Sequence, residues 1–119
     1  MTAPRTILLV EDDEDIRDAT AAILDAEGFR VLVAGSSDEA IQLLGQEQVD
    51  VLFTDIVMPG IDGVELARQA KRLHPNLKFM FMTGYYSRFA DAKELGKLVL
   101  KPFRASEIMA ALVEVLAAK

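Results

Sequence analysis

The chain has 119 residues, and we expect a single domain over residues 1–119 with its own hydrophobic core. A hydrophobic share of 51% argues against disorder, and no apolar run approaches the roughly 18 residues of a membrane span. A net charge of −6 argues against a direct nucleic-acid partner, since phosphate binding needs basic patches. The absence of cysteine excludes disulfides and thiolate metal sites, and we expect a cytoplasmic protein with no membrane partner.

Short aliphatic or β-branched runs alternate along the chain with helical patterns. Strands are predicted at Thr6–Val10, Arg30–Ala34, Val51–Thr54, Lys78–Met82 and Leu98–Leu100. The first run is followed at once by acidic residues instead of a small-residue cleavage site, which favours a strand over a signal peptide. All but the second are almost continuously apolar, as in a parallel sheet that is covered on both faces. The second, RVLVA, is more mixed and is predicted at a sheet edge.

Apolar residues at helical spacing fill the intervals between these strands. The predicted apolar stripes are Ile16, Ala19, Ile23 and Leu24; Ala40, Ile41, Leu43 and Leu44; Val64, Ala67, Ala70 and Leu73; and Ile108, Leu112, Val115 and Leu116. Gly28 is predicted to follow the first helix, Ser36 with Glu39 to cap the second, and Pro75 to stop the third. The weakly amphipathic Ser87–Glu94 is predicted as a further helix. The alternation predicts an α/β fold with a doubly wound, five-stranded parallel sheet flanked by helices.

Polar residues follow four of the five predicted strands. Glu11 and Asp12 follow the first strand, Asp55 the third, Thr83 the fourth and Lys101 the fifth. In open α/β sheets ligands bind outside the carboxyl ends of the strands, so these side chains are expected along one edge. Two carboxylates about 4 Å apart repel by about 4 kcal/mol at an effective dielectric near 20. The crowding therefore favours a cation site over a solvated helix N-terminus.

The residue types at this edge fit phosphoryl chemistry with magnesium. Mg²⁺ prefers hard oxygen ligands, which Glu11, Asp12 and Asp55 supply while the metal relieves their repulsion. A carboxylate held against such a metal can attack a phosphoryl group and give an aspartyl phosphate. The transferred group carries negative charge on its oxygens, which Mg²⁺ and Lys101 offset, and Thr83 can hydrogen-bond one of them.

Four segments in order, LLVEDDE, FTDIVMPGIDG, FMTG and LVLKPF, resemble the response-regulator receiver domain family across essentially the whole chain. The resemblance implies a flavodoxin-like receiver fold with Asp55 as the phosphoacceptor. It implies that Mg²⁺ is held by Asp55 together with the residues Glu11, Asp12 and, through its main-chain carbonyl, Val57. It also implies that Thr83 and Lys101 contact the phosphoryl group, and that the peptide bond before Pro102 is cis.

The family implies a function as well as a site. It is that of a single-domain response regulator in two-component signalling or a phosphorelay, phosphorylated by a histidine kinase or a histidine phosphotransfer protein. The signal then passes to an unknown downstream protein by contact or by onward phosphotransfer. Such a protein is not a conventional enzyme, because it catalyses only its own phosphorylation, with dephosphorylation left open.

The segment FMTGYY resembles more narrowly the FAT GUY subgroup of stand-alone bacterial receivers, with Met82 where that motif has alanine. Leu98 stands where ordinary receivers carry a switch aromatic, and the interval from Thr83 to the site lysine is shorter than usual. Both departures indicate a different switching mechanism. Tyr85 and Tyr86 are the aromatic candidates for it.

Several other chemistry-bearing residues are predicted to be structural. The later acids of the first run are expected in the first turns and on the solvated face of a helix. Asp62 is predicted as a turn residue or cap, with Gly60 and Gly63 serving backbone geometry. His74 is predicted to be a solvated loop residue, and Lys97 to lie outside the site.

Rival functions lack their motifs. GxxxxGK[ST], GxGxxG and the spacing of an EF-hand loop are absent. A phosphatase with an aspartyl nucleophile is disfavoured because Val57 stands where a second acid, two residues after Asp55, would act as general acid. The remaining alternative is a phosphorylation-independent interaction module with a receiver fold. Treatment with a small-molecule phosphodonor and Mg²⁺ discriminates, because such a module would gain no acyl phosphate on Asp55.

Overall fold

The computed structural model describes residues 4–84 and 89–117, in which five strands alternate with five helices. They are β1 (Thr6–Val10), α1 (Glu14–Ala26), β2 (Arg30–Ala34), α2 (Ser37–Gln46), β3 (Val51–Asp55), α3 (Gly63–Leu73), β4 (Lys78–Thr83), α4 (Phe89–Leu95), β5 (Lys97–Leu100) and α5 (Ala105–Ala117). The predicted helix at Ser87–Glu94 corresponds to α4, and Ser87 itself lies outside the described residues. In the described ranges no helix has both the length and the apolar character needed to cross a membrane.

The five strands form one parallel sheet in the order β2-β1-β3-β4-β5, with β2 at an edge as predicted. The strand order reverses between β1 and β3, and such a reversal opens a crevice outside the carboxyl ends of the strands. Val10 is opposite Thr54 in the register of β1 and β3, which brings the residues that follow these two strands together. Thr83 is opposite Leu100 at the ends of β4 and β5.

Helices cover both faces of the sheet, which confirms the predicted doubly wound α/β fold. Strand side chains alternate between two hydrophobic clusters, as the pleat requires. Phe79 and Phe81 pack in the cluster that α2, α3 and α4 cover. Met80 and Met82 pack in the opposite cluster, against α1 and α5. The two phenylalanines and the two methionines of β4 therefore lie on opposite faces of the sheet.

Local side-chain hydrogen bonds fix where the first three helices begin. Asp13, Ser36 and Asp62 are the N-caps, and each accepts a hydrogen bond from the backbone N–H three residues later, at 3.1, 3.2 and 2.9 Å. The acids of the first run beyond the site are thus a cap and a solvated helix face, as predicted. Gly28, with φ of 92°, follows α1, and Gly60, with φ of 83°, occupies the loop before α3.

Two predicted helix stripes need correction. In α1, Ala19 is exposed and Thr20 is buried instead, because the Thr20 hydroxyl donates to the Ile16 carbonyl at 2.7 Å and needs no water. In α3, Leu73 is 56% exposed, whereas Leu66, which the prediction omitted, is fully buried. The buried face of α3 continues from Ala70 to the residue four positions later instead of to Leu73.

That residue is His74, and the prediction that it is a solvated loop residue is wrong. His74 is the C-cap of α3 and is half-buried, with its backbone N–H donating to the Ala70 carbonyl at 2.8 Å. Its Nε2 lies 2.6 Å from the Leu44 carbonyl oxygen. Leu44 lies in the last turn of α2, where carbonyls have no partner within their own helix. His74 therefore caps α3 through its backbone N–H, while its imidazole satisfies a carbonyl at the end of α2.

Candidate functional site

Three acids meet at the carboxyl ends of β1 and β3. Carboxylate oxygens of Glu11, Asp12 and Asp55 all lie within 4.8 Å of one another. The main chain there is held by the sheet ladder, which continues one residue beyond β1 through a 3.1 Å bond from the Glu11 N–H to the Ala34 carbonyl. Glu11 is fully buried and Asp55 is 6% exposed, whereas Asp12 is exposed. Burial therefore increases from the exposed Asp12 to Asp55 and then to Glu11 within the sheet edge.

Lys101 bridges the two buried acids. Its Nζ lies 2.5 Å from Glu11 Oε1 and 2.7 Å from Asp55 Oδ2. Its backbone N–H donates to the Thr83 carbonyl at 2.9 Å, which fixes the residue beside the end of β4. The Lys101–Pro102 peptide bond is cis, as the family resemblance implied. Lys97 instead pairs with Glu114 at 2.8 Å and is outside the site, as predicted.

Burial and neighbouring charges shift the pKa values of Glu11 and Lys101. Burial, together with the nearby Asp55 carboxylate, raises the pKa of Glu11 from 4.5 to about 7, although the Lys101 hydrogen bond acts in the opposite direction. For Lys101, burial acts to lower the pKa, but hydrogen bonds and charge from Asp55 and Glu11 outweigh it and raise the pKa above 10.5. Lys101 is thus a stable ammonium, and it is one positive group among three carboxyl groups.

One oxygen of this cluster is left without a partner. Glu11 Oε2 is buried and, in the part of the chain that the structure describes, accepts no hydrogen bond. A buried unsatisfied acceptor costs about 1–3 kcal/mol and calls for a partner outside the chain. Carboxylate oxygens are the ligands that Mg²⁺ prefers. The donor set and the orphan oxygen therefore fit a magnesium ion.

Both oxygens of Asp55 have fixed partners. Oδ1 accepts a hydrogen bond from the Val57 N–H at 3.1 Å, and Oδ2 accepts one from Lys101. Val57 is 45% exposed beside this carboxyl group. Thr83 is fully buried at the end of β4. The structure thus brings together at one edge the residues that the sequence placed there.

Two residues of the predicted switch lie outside the described structure, and two residues near the site are not predicted by the sequence patterns. Tyr85 and Tyr86 lie outside the described residues. Arg17 of α1 donates from Nη1 to the Glu11 carbonyl at 3.3 Å. Ser37 donates from Oγ to the Ile61 carbonyl at 2.9 Å, in the loop after β3. No spacing pattern marks either residue, because each reaches a carbonyl on another element.

Known proteins match the chain over nearly its whole length. The family model described as the response regulator receiver domain matches residues 7–113. The response regulator receiver protein CpdR of Brucella abortus is 38% identical over 109 residues, covering 88% of this chain and 91% of CpdR. The sporulation initiation phosphotransferase F of Bacillus subtilis is 31% identical over 106 residues, covering 86% of each chain.

A solved structure also matches the fold over most of the chain. The response regulator protein TrrA of Thermotoga maritima, in complex with Mg(2+)-BeF, has a TM-score of 0.85 and 26% identity, covering 93% of this chain and 98% of that one. Receiver domains are phosphoacceptors that interact with histidine kinases or phosphotransfer proteins. With the parallel sheet and the acid cluster beside the half-buried Lys101, these matches show that the chain belongs to the response regulator receiver domain family and is a response regulator of two-component signalling.

Proposed function

We propose that Asp55 accepts a phosphoryl group from the phosphohistidine of a histidine kinase or a histidine phosphotransfer protein. The observation that carries the proposal is the fixed Asp55 carboxyl group, held by the Val57 N–H at 3.1 Å and by Lys101 Nζ at 2.7 Å. It lies within 4.8 Å of two further acids. A nucleophile that is already oriented saves much of the entropy that the reaction would otherwise lose.

The protein's own residues supply orientation and charge. In the transfer, a carboxylate oxygen of Asp55 forms a bond to phosphorus while the bond from phosphorus to the donor's imidazole nitrogen breaks. Lys101, an ammonium beside Asp55, offsets negative charge on the phosphoryl oxygens. Thr83, at the end of the neighbouring strand, provides a hydroxyl for one of those oxygens. The chain thus modifies itself and releases no product of its own, which distinguishes a phosphoacceptor from a conventional enzyme.

In this proposal Mg²⁺ would be held by the carboxylates of Glu11, Asp12 and Asp55 and by the main-chain carbonyl of Val57. When bound, the ion supplies positive charge that offsets the crowded carboxylates and the transferred oxygens. The orphan Oε2 of Glu11 supports a cation here. The Mg(2+)-BeF complex of TrrA supports it too, since beryllium fluoride resembles a phosphoryl group.

The proposal extends to the kind of response regulator. The chain covers 91% of CpdR, which supports a stand-alone receiver. The segment FMTGYY resembles the motif of the FAT GUY subgroup and supports membership of that subgroup. A stand-alone receiver signals by contact with a downstream protein or by onward phosphotransfer, and the phosphotransferase F relative supports the second route. The proposal includes a cytoplasmic location, which a cysteine-free chain suits.

Magnesium-dependent labelling tests the proposal. We expect the wild-type protein to gain one phosphoryl group from a small-molecule acyl phosphate with Mg²⁺, as measured by intact mass, and to gain none after chelation. Asp12→Asn should weaken Mg²⁺ binding by at least about tenfold in a metal titration, because Asp12 belongs to the acid cluster. Asp15→Asn is the matched control, since Asp15 is exposed in the first turn of α1.

Two outcomes would contradict the proposal. Equal effects of the two substitutions would mean that the acidic run binds the metal diffusely. An unlabelled wild-type protein would favour a phosphorylation-independent interaction module.

A further inference from the structure

Gly63, the first residue of α3, packs directly against the main chain of Asp55. A Cβ at Gly63 would lie 2.1 Å from the Asp55 carbonyl oxygen and 2.9 Å from its carbonyl carbon, whereas real Cβ contacts stay above 3.0 Å. The Gly63 N–H also donates to the Ile56 carbonyl at 2.8 Å. Its φ is not in the left-handed region, which only Gly28 and Gly60 occupy among the described glycines. The close approach, and not the backbone conformation, therefore requires glycine here.

The loop between β3 and α3 has a second anchor on the opposite side. Ser37, in the first turn of α2, is 3% exposed and donates from Oγ to the Ile61 carbonyl at 2.9 Å. Asp62 then caps α3 by accepting from the Glu65 N–H at 2.9 Å. The loop that follows Asp55 is thus fixed to α2 on one side and to the Asp55 main chain on the other.

We propose that Gly63 is a positioning residue for Asp55, with Ser37 as the second anchor of the same loop. The absent side chain lets the start of α3 sit on the Asp55 carbonyl, and this holds the carboxyl group 2.7 Å from Lys101 Nζ. The inference rests on the proposed function, because it concerns how fast Asp55 is phosphorylated. Any side chain at position 63 must move the Asp55 carbonyl and the start of α3 apart by about 1 Å to restore a 3.0 Å contact. A displacement of about 1 Å can slow a reaction by about 100-fold.

The chain offers a matched control for this displacement. A Cβ at Gly96 would lie 2.2 Å from the Phe79 carbonyl oxygen, so the backbone contact is nearly the same. Gly96 precedes β5, at the amino end of the strands, and is therefore on the side of the sheet opposite to the site. Gly63→Ala and Gly96→Ala should consequently lose comparable stability, while only Gly63→Ala loses the local geometry of Asp55.

The experiment compares both variants with the wild-type protein. Urea unfolding gives their stability, and labelling with a small-molecule acyl phosphate and saturating Mg²⁺ gives the rate at saturating donor. We expect Gly63→Ala to slow the saturating rate by about 100-fold and Gly96→Ala to leave it within about twofold of wild type. Equal slowing in both variants would overturn the proposal, since the effect would then follow stability alone.

Variants of Ser37 keep the inference testable if Gly63→Ala does not fold. Ser37→Ala removes the hydroxyl that holds the Ile61 carbonyl, whereas Ser37→Thr keeps one. We expect a several-fold lower saturating rate for Ser37→Ala and recovery in Ser37→Thr. A wild-type rate in Ser37→Ala would contradict the second anchor and the proposal with it.

A readout without phosphodonor separates this inference from the proposed function. The ¹³C resonance of the Asp55 carboxyl carbon reports its contact with Lys101 in the absence of Mg²⁺. We expect it to shift in Gly63→Ala, or in Ser37→Ala, and not in Gly96→Ala. An unlabelled wild-type protein would defeat the proposed function, yet this shift would still support positioning. An unchanged Asp55 resonance in both loop variants would overturn the positioning inference itself.

Discussion

Glu11 is a buried acid whose ionisation depends on what neutralises it. Burial raises its pKa from 4.5 to about 7 in the folded chain, and Asp55 acts in the same direction. Between these two values the folded state binds more protons than the unfolded state. Stability contributed by the neutral form is therefore complete below about pH 4.5 and is lost as the pH rises through about 7. A divalent cation at the site acts against this loss, because it stabilises the ionised carboxylate.

A pH series of unfolding measurements tests this residue. Without Mg²⁺, we expect the free energy of unfolding of the wild-type protein to fall between about pH 5 and about pH 8. Glu11→Gln should show a flatter profile, because glutamine has nearly the same size and does not titrate. Asp15→Asn, an exposed substitution on α1, should keep the wild-type profile. Identical profiles for the wild-type protein and Glu11→Gln would contradict the assigned pKa.

Added Mg²⁺ should stabilise the wild-type protein more than it stabilises Glu11→Gln. At about pH 8, added Mg²⁺ should raise the free energy of unfolding of the wild-type protein, since a ligand that binds only the folded state stabilises it. Glu11→Gln should respond less, because an amide oxygen replaces the buried carboxylate oxygen that lacks a partner among the described residues. An equal gain in both proteins would place the metal away from Glu11.

At the scale of the elements, α2 and α3 are joined through His74. Its Nε2 lies 2.6 Å from the Leu44 carbonyl in the last turn of α2. We expect His74→Ala to lower the free energy of unfolding by about 1 kcal/mol, the usual net worth of such a hydrogen bond. Leu73→Ala is the neighbouring control and should cost about 0.5 kcal/mol or less, since Leu73 is 56% exposed. Equal losses in urea unfolding would mean that the helix end, and not the imidazole contact, sets the cost.

The helix α4 is where we expect phosphorylation to be transmitted. It has only seven residues, and Leu98 beside it on β5 is half-buried in the same cluster as Ala92. Leu98 has no hydroxyl and no ring to exchange between buried and exposed positions. We therefore expect Thr83 to move towards the phosphoryl group and order the segment from Tyr85 to Glu94, of which residues 85–88 lie outside the described structure.

Hydrogen exchange measures this ordering directly. Exchange of amides in residues 85–94 should slow when Asp55 is phosphorylated, and Tyr86→Ala should impair signalling while sparing phosphorylation. The Asp55→Asn protein, treated with the same phosphodonor, is the control and should show no change. Slower exchange confined to other elements would contradict this mechanism.

The sequence predicts these elements through the periodicity of its apolar residues, and it predicts the position of the site through the topology of a parallel sheet. Short aliphatic or β-branched runs predict all five strands, and the rule that ligands bind at the carboxyl ends of parallel strands predicts that Glu11, Asp55 and Lys101 share one edge. His74 was misassigned because its burial depends on a carbonyl 30 residues away. For Gly63 the sequence predicts only a role in backbone geometry. A glycine that is required for close packing cannot be distinguished in sequence from one that is required for a positive φ.

At the scale of the whole molecule, the site belongs to the sheet and not to any one segment. Residues from the ends of β1, β3, β4 and β5 meet at the edge where the strand order reverses. The two hydrophobic clusters hold those strands from both faces, so the acid cluster and Lys101 are placed by the core. The central proposal for this edge is that one carboxyl group, that of Asp55, accepts the phosphoryl group.

Mapping the labelled residue tests that claim most directly. The protein would be treated with a phosphorylated histidine kinase or a small-molecule acyl phosphate in Mg²⁺, and the acyl phosphate would be reduced with borohydride and located by peptide mass spectrometry. We expect one modified position, Asp55, no labelling of Asp55→Asn, and full labelling of the control Asp15→Asn. Full labelling of Asp55→Asn, or modification at another acid in the wild-type protein, would contradict the account.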